Sequence, residues 1–446
     1  MHSISIDSTE SSLLDCSGEE RDAAYRKVVW RLMPFLFACY FVNYLDRANI
    51  GFAKLQFTAD LHFGDAVYGF GAGLFFVGYV IFEVPSNLLL QRIGTRATIT
   101  RIMIFWGLVS AATAFVRTPT ELYVARFFLG VAEAGFFPGV VLYLTYWFPS
   151  KRRGRMTSVF MSALAVAGIF GSPLSGLVMT QLHGLRGLAG WQVLFIVEGL
   201  PAAVLGVIAW FLLEDGPERV SWLTPRQKEI IARDLAVDRS MRPSVRESYL
   251  HTLLDIRVYV AGFVSATMFS ASVSIALWAP TLIREAGARD FQAVGLLTAI
   301  PYLAAAMGMY FLSRSSDLLL ERRWHAAAAA AACGVCLAAL PFGGGSVLIT
   351  VALLSVAAAG LYGAIVVFWT IPPAYLPEAT RACGIALISS LAAISGFFSP
   401  AMVGALKAAS GSLYIGLAGV GAVTILGALV LLIGIPADSI RPTFPR

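Results

Sequence analysis

Apolar residues in this chain fall in long blocks, with no alternation of period two and no narrow helical stripe. Twelve such blocks lie near 31–53, 67–90, 98–116, 122–147, 157–180, 191–213, 258–283, 292–313, 326–341, 347–371, 383–406 and 413–435. Each is about 20 residues long, which as a helix spans a hydrocarbon core about 30 Å thick. One long polar connection, 214–257, separates the sixth block from the seventh. The pattern predicts an all-α polytopic membrane protein with twelve transmembrane helices in two six-helix bundles, 26–213 and 258–436. Short polar tails, 1–25 and 437–446, flank the bundles. The loops NLLLQRIGTRATI and SRSSDLLLERRWH each follow an even-numbered block, so the halves echo one another weakly. Such a repeat suggests two bundles rocking about a midplane site.

Composition narrows the class. Of 446 residues, 58% are hydrophobic and 13% charged, and the mean hydropathy is +0.74. A soluble domain carries about 25% charged residues, and disorder requires low hydrophobicity, so both are excluded. The formal charge is +6, from 33 Lys and Arg against 27 Asp and Glu. Of those 33, 25 fall on one set of loops, six on the other and two inside apolar blocks. By the positive-inside rule, both termini and the central connection are expected in the cytoplasm. The asymmetry accounts for the basic charge without any nucleic-acid partner. Cys333 and Cys336 have C-x-x-C spacing in AACGVCLAAL, but no second pair completes a metal site. There is no G-x-x-x-x-G-K-[ST], H-E-x-x-H or G-x-S-x-G motif, so neither an ATP-driven pump nor an enzyme is supported. No cofactor or metal is expected, and the chain is expected to act as a monomer.

The chemistry concentrates in the two remaining cations, Arg47 and Arg126. An intramembrane Arg costs at least about 2.5–3.5 kcal/mol on insertion scales, so each needs a partner or a watery cavity. Asp46 adjoins Arg47. Glu133 lies two helical turns after Arg126 on the same face, about 10.5 Å away along the axis. A direct Arg126–Glu133 pair is therefore not expected; a substrate or the first helix could lie between them. A guanidinium stays charged and binds a carboxylate bidentately, so Arg47 and Arg126 are candidate anion-binding residues. Asp46 and Glu133 are candidate proton carriers. The alternative for this group is a structural salt bridge between the first and fourth helices. Tyr40, Tyr44 and Arg47 form one stripe, which makes Tyr44 a substrate candidate, with Tyr79 similar. Glu83 suits a structural role, and Glu198 is either a packing partner or a secondary proton site. The second half carries aromatics in place of mid-membrane charge. Trp278 and Trp369, each close before a proline, are its candidates for the site. The small-residue runs GFGAGLFFVG and GIFGSPLSG read as helix packing.

NYLDRANIGFA (43–53), FEVPSN (82–87), YVARFFLGVAEAGFFPG (123–139), YLTYWFP (143–149), GWQVLFIVEGLP (190–201) and ERRWH (321–325) together resemble the anion:cation symporter family of the major facilitator superfamily. The resemblance spans nearly the whole chain. It implies proton-coupled uptake of a small organic anion across the lipid bilayer of a bacterial inner membrane. It assigns Asp46 and Glu133 to proton coupling, Arg47 and Arg126 to the substrate carboxylate, and Tyr44, Tyr79 and Trp369 to the site lining. Two departures matter. The first of the paired loops has Gln91 before Arg92, whereas the second keeps Asp317 with Arg322. Arg92, Asp317 and Arg322 are therefore the candidate gating residues, with weight on the last two. Ala393 stands where sugar-acid members have Asn, which favours a tartrate-like or aromatic carboxylate over a polyhydroxylated acid. An exchanger or efflux carrier of the same architecture is the alternative, and a non-transporting sensor ranks below both.

Overall fold

A computed structural model describes residues 18–240, 254–343, 345–376 and 381–435. Most of both tails and part of the central connection lie outside the described residues. Twelve spans long and apolar enough to cross a membrane are present among the described residues, and no strand is. The first three are α1 (Gly18–Asp60), α2 (Asp65–Ile93) and α3 (Thr95–Ala112). The fourth is broken into α4 (Pro119–Glu133) and α5 (Phe136–Trp147). Then follow α6 (Ser150–Gln181) and α7 (Gly190–Leu212). After the central helix α8 (Pro225–Ser240) come α9 (Ile256–Glu285), α10 (Phe291–Leu319) and α11 (Arg323–Ala339). The tenth span is α12 (Val347–Phe368) with the single turn α13 (Pro372–Tyr375), and α14 (Arg381–Ser410) and α15 (Leu413–Gly434) close the chain. Helix starts follow local chemistry. Thr118 caps α4 through Glu121 N with Pro119 in the first turn, and Asp290 caps α10 through Ala293 N at 2.6 Å.

Two sequence expectations change here. The block 122–147 is two helices: Ala134 takes an extended ψ of 129° and Gly135 a left-handed φ of 89°. Gly135 is required twice over, by that φ and because a Cβ there would lie 2.5 Å from Ser86 Oγ. The central connection holds α8, which buries Ile230, Ile231 and Leu235. It is fastened to the first bundle by Tyr25 Oη donating to Asp234 at 3.1 Å and Ser150 N donating to Asp238 at 2.9 Å. Before it, Asp215 accepts from Thr95 N at 2.7 Å and Arg96 N at 3.0 Å, capping α3.

The two bundles, α1–α7 and α9–α15, meet along three helix pairs. On α2–α14, a Cβ on Gly69 would sit 2.3 Å from Pro400 O, and one on Gly404 2.5 Å from Asp65 O. On α6–α10, a Cβ on Gly176 would sit 2.4 Å from Phe291 O. On α1–α9, Gly51 faces Leu277 O at 3.0 Å. All of these contacts lie near the end carrying the α1–α2 and α9–α10 loops, opposite the basic end. Close contacts between bundles extend inward to Tyr44, Phe76 and Leu164, the last packed on Ala305, Ala358 and Tyr362. Beyond Phe76, α2 exposes Phe82, Val84 and Leu88. The halves thus splay toward the basic end and are sealed at the far end.

Candidate functional site

Arg126, Glu133 and Asp46 are each at most 2% exposed, at mid-depth of the first bundle. Neighbouring positions on a helix point about 100° apart, so Asp46 and Arg47 face different helices. Asp46 Oδ1 accepts from Ser110 Oγ of α3 at 2.5 Å and from Asn49 Nδ2 at 2.9 Å. Arg47 instead crosses to α4. Its Nε donates to Glu133 Oε1 at 2.5 Å, and its Nη2 contacts the same oxygen. Glu133 ends α4, where the last carbonyls already present negative charge, so a carboxylate there needs a cation such as Arg47.

Arg126 has no such partner. Its Nε and Nη1 are buried without a hydrogen bond. Phe75 of α2 lies between the two cations, with Arg47 Cζ and Arg126 Cζ each 5.3 Å from its ring centroid. Tyr79 faces Arg47 at 5.2 Å. These rings reach the charges because α2 and α4 touch without side chains. A Cβ on Gly130 would fall 1.9 Å from Phe75 O, and one on Gly78 2.3 Å from Phe127 O. Cation–π attraction offsets part of the burial cost of a guanidinium, by about 0.5–2 kcal/mol per contact. It leaves unmet the hydrogen-bonding capacity that a carboxylate would fill.

The facing wall of the second bundle is uncharged and hydroxyl-rich. Tyr44 Oη lies 3.2 Å from Tyr362 Oη, which accepts from Ser272 Oγ at 3.1 Å. Tyr302 meets Tyr44 edge-on at 6.2 Å. Of the predicted residues, Arg47 and Glu133 pair across α1 and α4, Arg126 and Tyr79 join them around Phe75 and Arg47, and Tyr44 touches the second bundle at Tyr362 and Tyr302. Asp46 faces away from this group, against α3. Trp369, half-buried, lies about two turns nearer the basic end than Tyr362 and stacks edge-on with Phe368.

Trp278 lies elsewhere, in the far-end seal. Its ring is under Lys54 Nζ at 4.6 Å and meets the edge of Tyr68 at 4.9 Å. Lys54 Nζ pairs with Asp65 at 2.7 Å, Lys407 Nζ approaches Asp65 at 3.5 Å, and Lys407 also pairs with Glu285. This alternating cluster joins α1, α2, α9 and α14. Sequence reasoning assigned Lys54 to a loop because it ended the first span seven residues early; Arg47 and Lys54 are two turns apart on one helix. Phe75 was missed for want of any signal that separates it from its apolar neighbours. At the basic end, Asp317 pairs with Arg322 at 2.5 Å, and Arg322 Nη1 donates to Ser316 Oγ at 3.0 Å. Both residues belong to the second bundle, and Arg92 is exposed.

The family model for the Major Facilitator Superfamily matches residues 36–400. The putative metabolite transport protein NicT of Pseudomonas putida is 43% identical over 390 residues, 87% of this chain and 89% of that protein. A putative tartrate transporter of Agrobacterium vitis is 41% identical over 410 residues, 92% of this chain and 90% of that one. A quinolone resistance transporter of Acinetobacter baumannii is 39% identical over 393 residues, 88% and 90% of the two chains. The crystal structure of a D-xylose-proton symporter superposes with a TM-score of 0.70 at 15% identity, over 92% of this chain and 98% of that one.

Proposed function

Starting from the fact that this chain belongs to the Major Facilitator Superfamily, and is therefore a membrane transporter and not an enzyme, we propose that it imports a small organic carboxylate together with protons. The observation that carries the reading is Arg126: a buried guanidinium with free donors, beside a second guanidinium held by a carboxylate that can be displaced.

The cycle follows from those contacts. With the far end open, protonation of Glu133 releases Arg47, and the substrate carboxylate bridges Arg47 and Arg126. The bundles then close over it at the far end. With the basic end open, Glu133 loses its proton and recaptures Arg47, which leaves the anion with a single cation and lowers its affinity. The arrangement described above, Arg47 bound to Glu133 with the basic end splayed, is the state after release. Asp46 holds a further proton behind the site. Tyr44, Tyr79 and Trp369 line the passage, and Trp278 acts in the far-end seal. Arg92, Asp317 and Arg322 act at the basic end; the Asp317–Arg322 pair inside one bundle suits the unlatched state.

The name of the Agrobacterium vitis relative and the hydroxyl-rich wall at Tyr44, Tyr362 and Ser272 support a tartrate-like or aromatic hydroxy-carboxylate. The loop charges support cytoplasmic termini, and the bacterial relatives favour a bacterial inner membrane. The quinolone resistance relative favours a second reading, efflux or exchange. Uptake into proteoliposomes under an inward proton gradient tests both. Accumulation of tartrate or hydroxyphenylacetate that a protonophore collapses, and that Glu133→Gln abolishes, supports symport. Counterflow independent of pH replaces it with exchange.

A further inference from the structure

Behind the anion site lies a second buried carboxyl. Glu198 of α7 is 2% exposed; Ser175 Oγ of α6 donates to its Oε1 at 2.7 Å, while Oε2 has no partner. No salt bridge reaches it among the described residues. Its neighbours converge on Asp46. Gly199, the next residue, packs on Ser110, where a Cβ would lie 3.0 Å from the hydroxyl that bonds Asp46. The single hydroxyl proton of Ser175 is shared with Gly171 O, 3.0 Å away, and a Cβ on Gly171 would lie 2.0 Å from Leu45, next to Asp46. Two buried carboxyls thus share one cluster where α1, α3, α6 and α7 meet.

The groups around the pair are few. Asn49 of α1 donates to Asp46, Ser110 and the Trp106 indole face the pair from α3, and Ser175 from α6. From α4, Arg126 and Glu133 act on Asp46 with opposite signs. Among the described residues no cation pairs with Glu198, and two like charges in a water-poor interior cannot both persist without one.

We infer that Glu198 is a proton-holding partner of Asp46: the pair keeps one proton, which sits on Glu198 whenever Asp46 is ionised. Each transfer is balanced, one O–H bond broken on one carboxyl and one formed on the other. Glu198 is then a positioning residue for the coupling proton and does not touch the anion.

The inference rests on proton coupling as proposed above, and the test separates the two. The pH profile of gradient-driven uptake is measured for wild type, Glu198→Gln and Ser175→Ala in proteoliposomes. Removing the like charge lets Asp46 ionise more readily, so the alkaline limb moves to lower pH by about one unit in Glu198→Gln. Ser175→Ala favours protonated Glu198 and moves the limb the same way by less, and it decides the matter if Glu198→Gln does not fold. A merely structural Glu198 leaves both profiles where they were, which overturns the inference while symport stands. A wild type without proton-driven accumulation overturns both.

Discussion

Placing one methyl group in the far-end seal tests whether this packing sets the conformational equilibrium. A Cβ on Gly69 would lie 2.3 Å from Pro400 O and 3.0 Å from Gly404 Cα. Both are backbone atoms, so no side chain can rotate away and relief requires the helices to part. Overpacking of this kind costs about 1–3 kcal/mol. Because the strain exists only while the far end is closed, Gly69→Ala favours the state in which it is open. At 1.4 kcal/mol per tenfold, the shift in population is about 5- to 150-fold.

Thr281 reports that shift. It is 5% exposed and lies 3.5 Å from Lys54 Nζ inside the seal. Thr281→Cys, with the five native cysteines replaced, is labelled by a membrane-impermeant maleimide only when the far end opens. Gly69→Ala is expected to raise the labelling rate by the factor above. Gly176→Ala, whose Cβ would meet Phe291 O at 2.4 Å, is expected to do the same from the other side. Gly154→Ala is the control, since nothing lies within 4 Å of its Cβ. Equal labelling in Gly69→Ala and Gly154→Ala, both monodisperse, would refute the reasoning.

Other outcomes follow from the same contacts. Arg126→Lys removes the planar fork while keeping the charge, and is expected to weaken anion binding by about 2 kcal/mol or more, roughly 30-fold, in a calorimetric titration. Asp65→Asn, which leaves Lys54 and Lys407 facing one another, is expected to open the seal more than Glu285→Gln, which frees one ammonium only; the Thr281→Cys labelling ranks them. Glu321 sits between the eighth and ninth spans. Partial burial raises its carboxyl, but donation from Trp324 N and from the backbone and ring of His325 outweighs this and holds it below its ordinary value of 4.5. A depressed carboxyl stabilises above its unfolded value and loses that contribution as pH falls through the folded one. Glu321→Ala is therefore expected to lower thermal stability near neutrality by about 1 kcal/mol, and the difference from wild type should vanish in acid below 4.5.

The spans were legible because a bilayer demands about 20 apolar residues at each crossing, and little else in a sequence imitates that. The four mid-membrane charges were legible for the same reason, as costs that need a purpose. Their pairing was not. Asp46 and Arg47 are adjacent in sequence, and only the rotation of α1 about its axis sends one to Ser110 and the other to Glu133. Helix ends were the weak point: seven residues beyond the expected end of the first span turned Lys54 from a loop charge into part of the seal. The glycine runs were visible, but their meaning was not, since close approach within a bundle and between bundles leaves the same mark. Gly78 and Gly130 fix α2 to α4 permanently, whereas Gly69, Gly176 and Gly404 touch the other bundle and must separate each cycle. That difference bears on mechanism. The glycine contacts in the seal are backbone to backbone, and its charge cluster keeps each cation beside an anion of its own bundle, Lys54 with Asp65 and Lys407 with Glu285. Opening it strands no buried charge. Arg126, by contrast, remains short of hydrogen-bond acceptors in the state described, and an incoming carboxylate is the group that would supply them. The fold thus lets the bundles part without stranding a charge and reserves its unmet demand for the substrate.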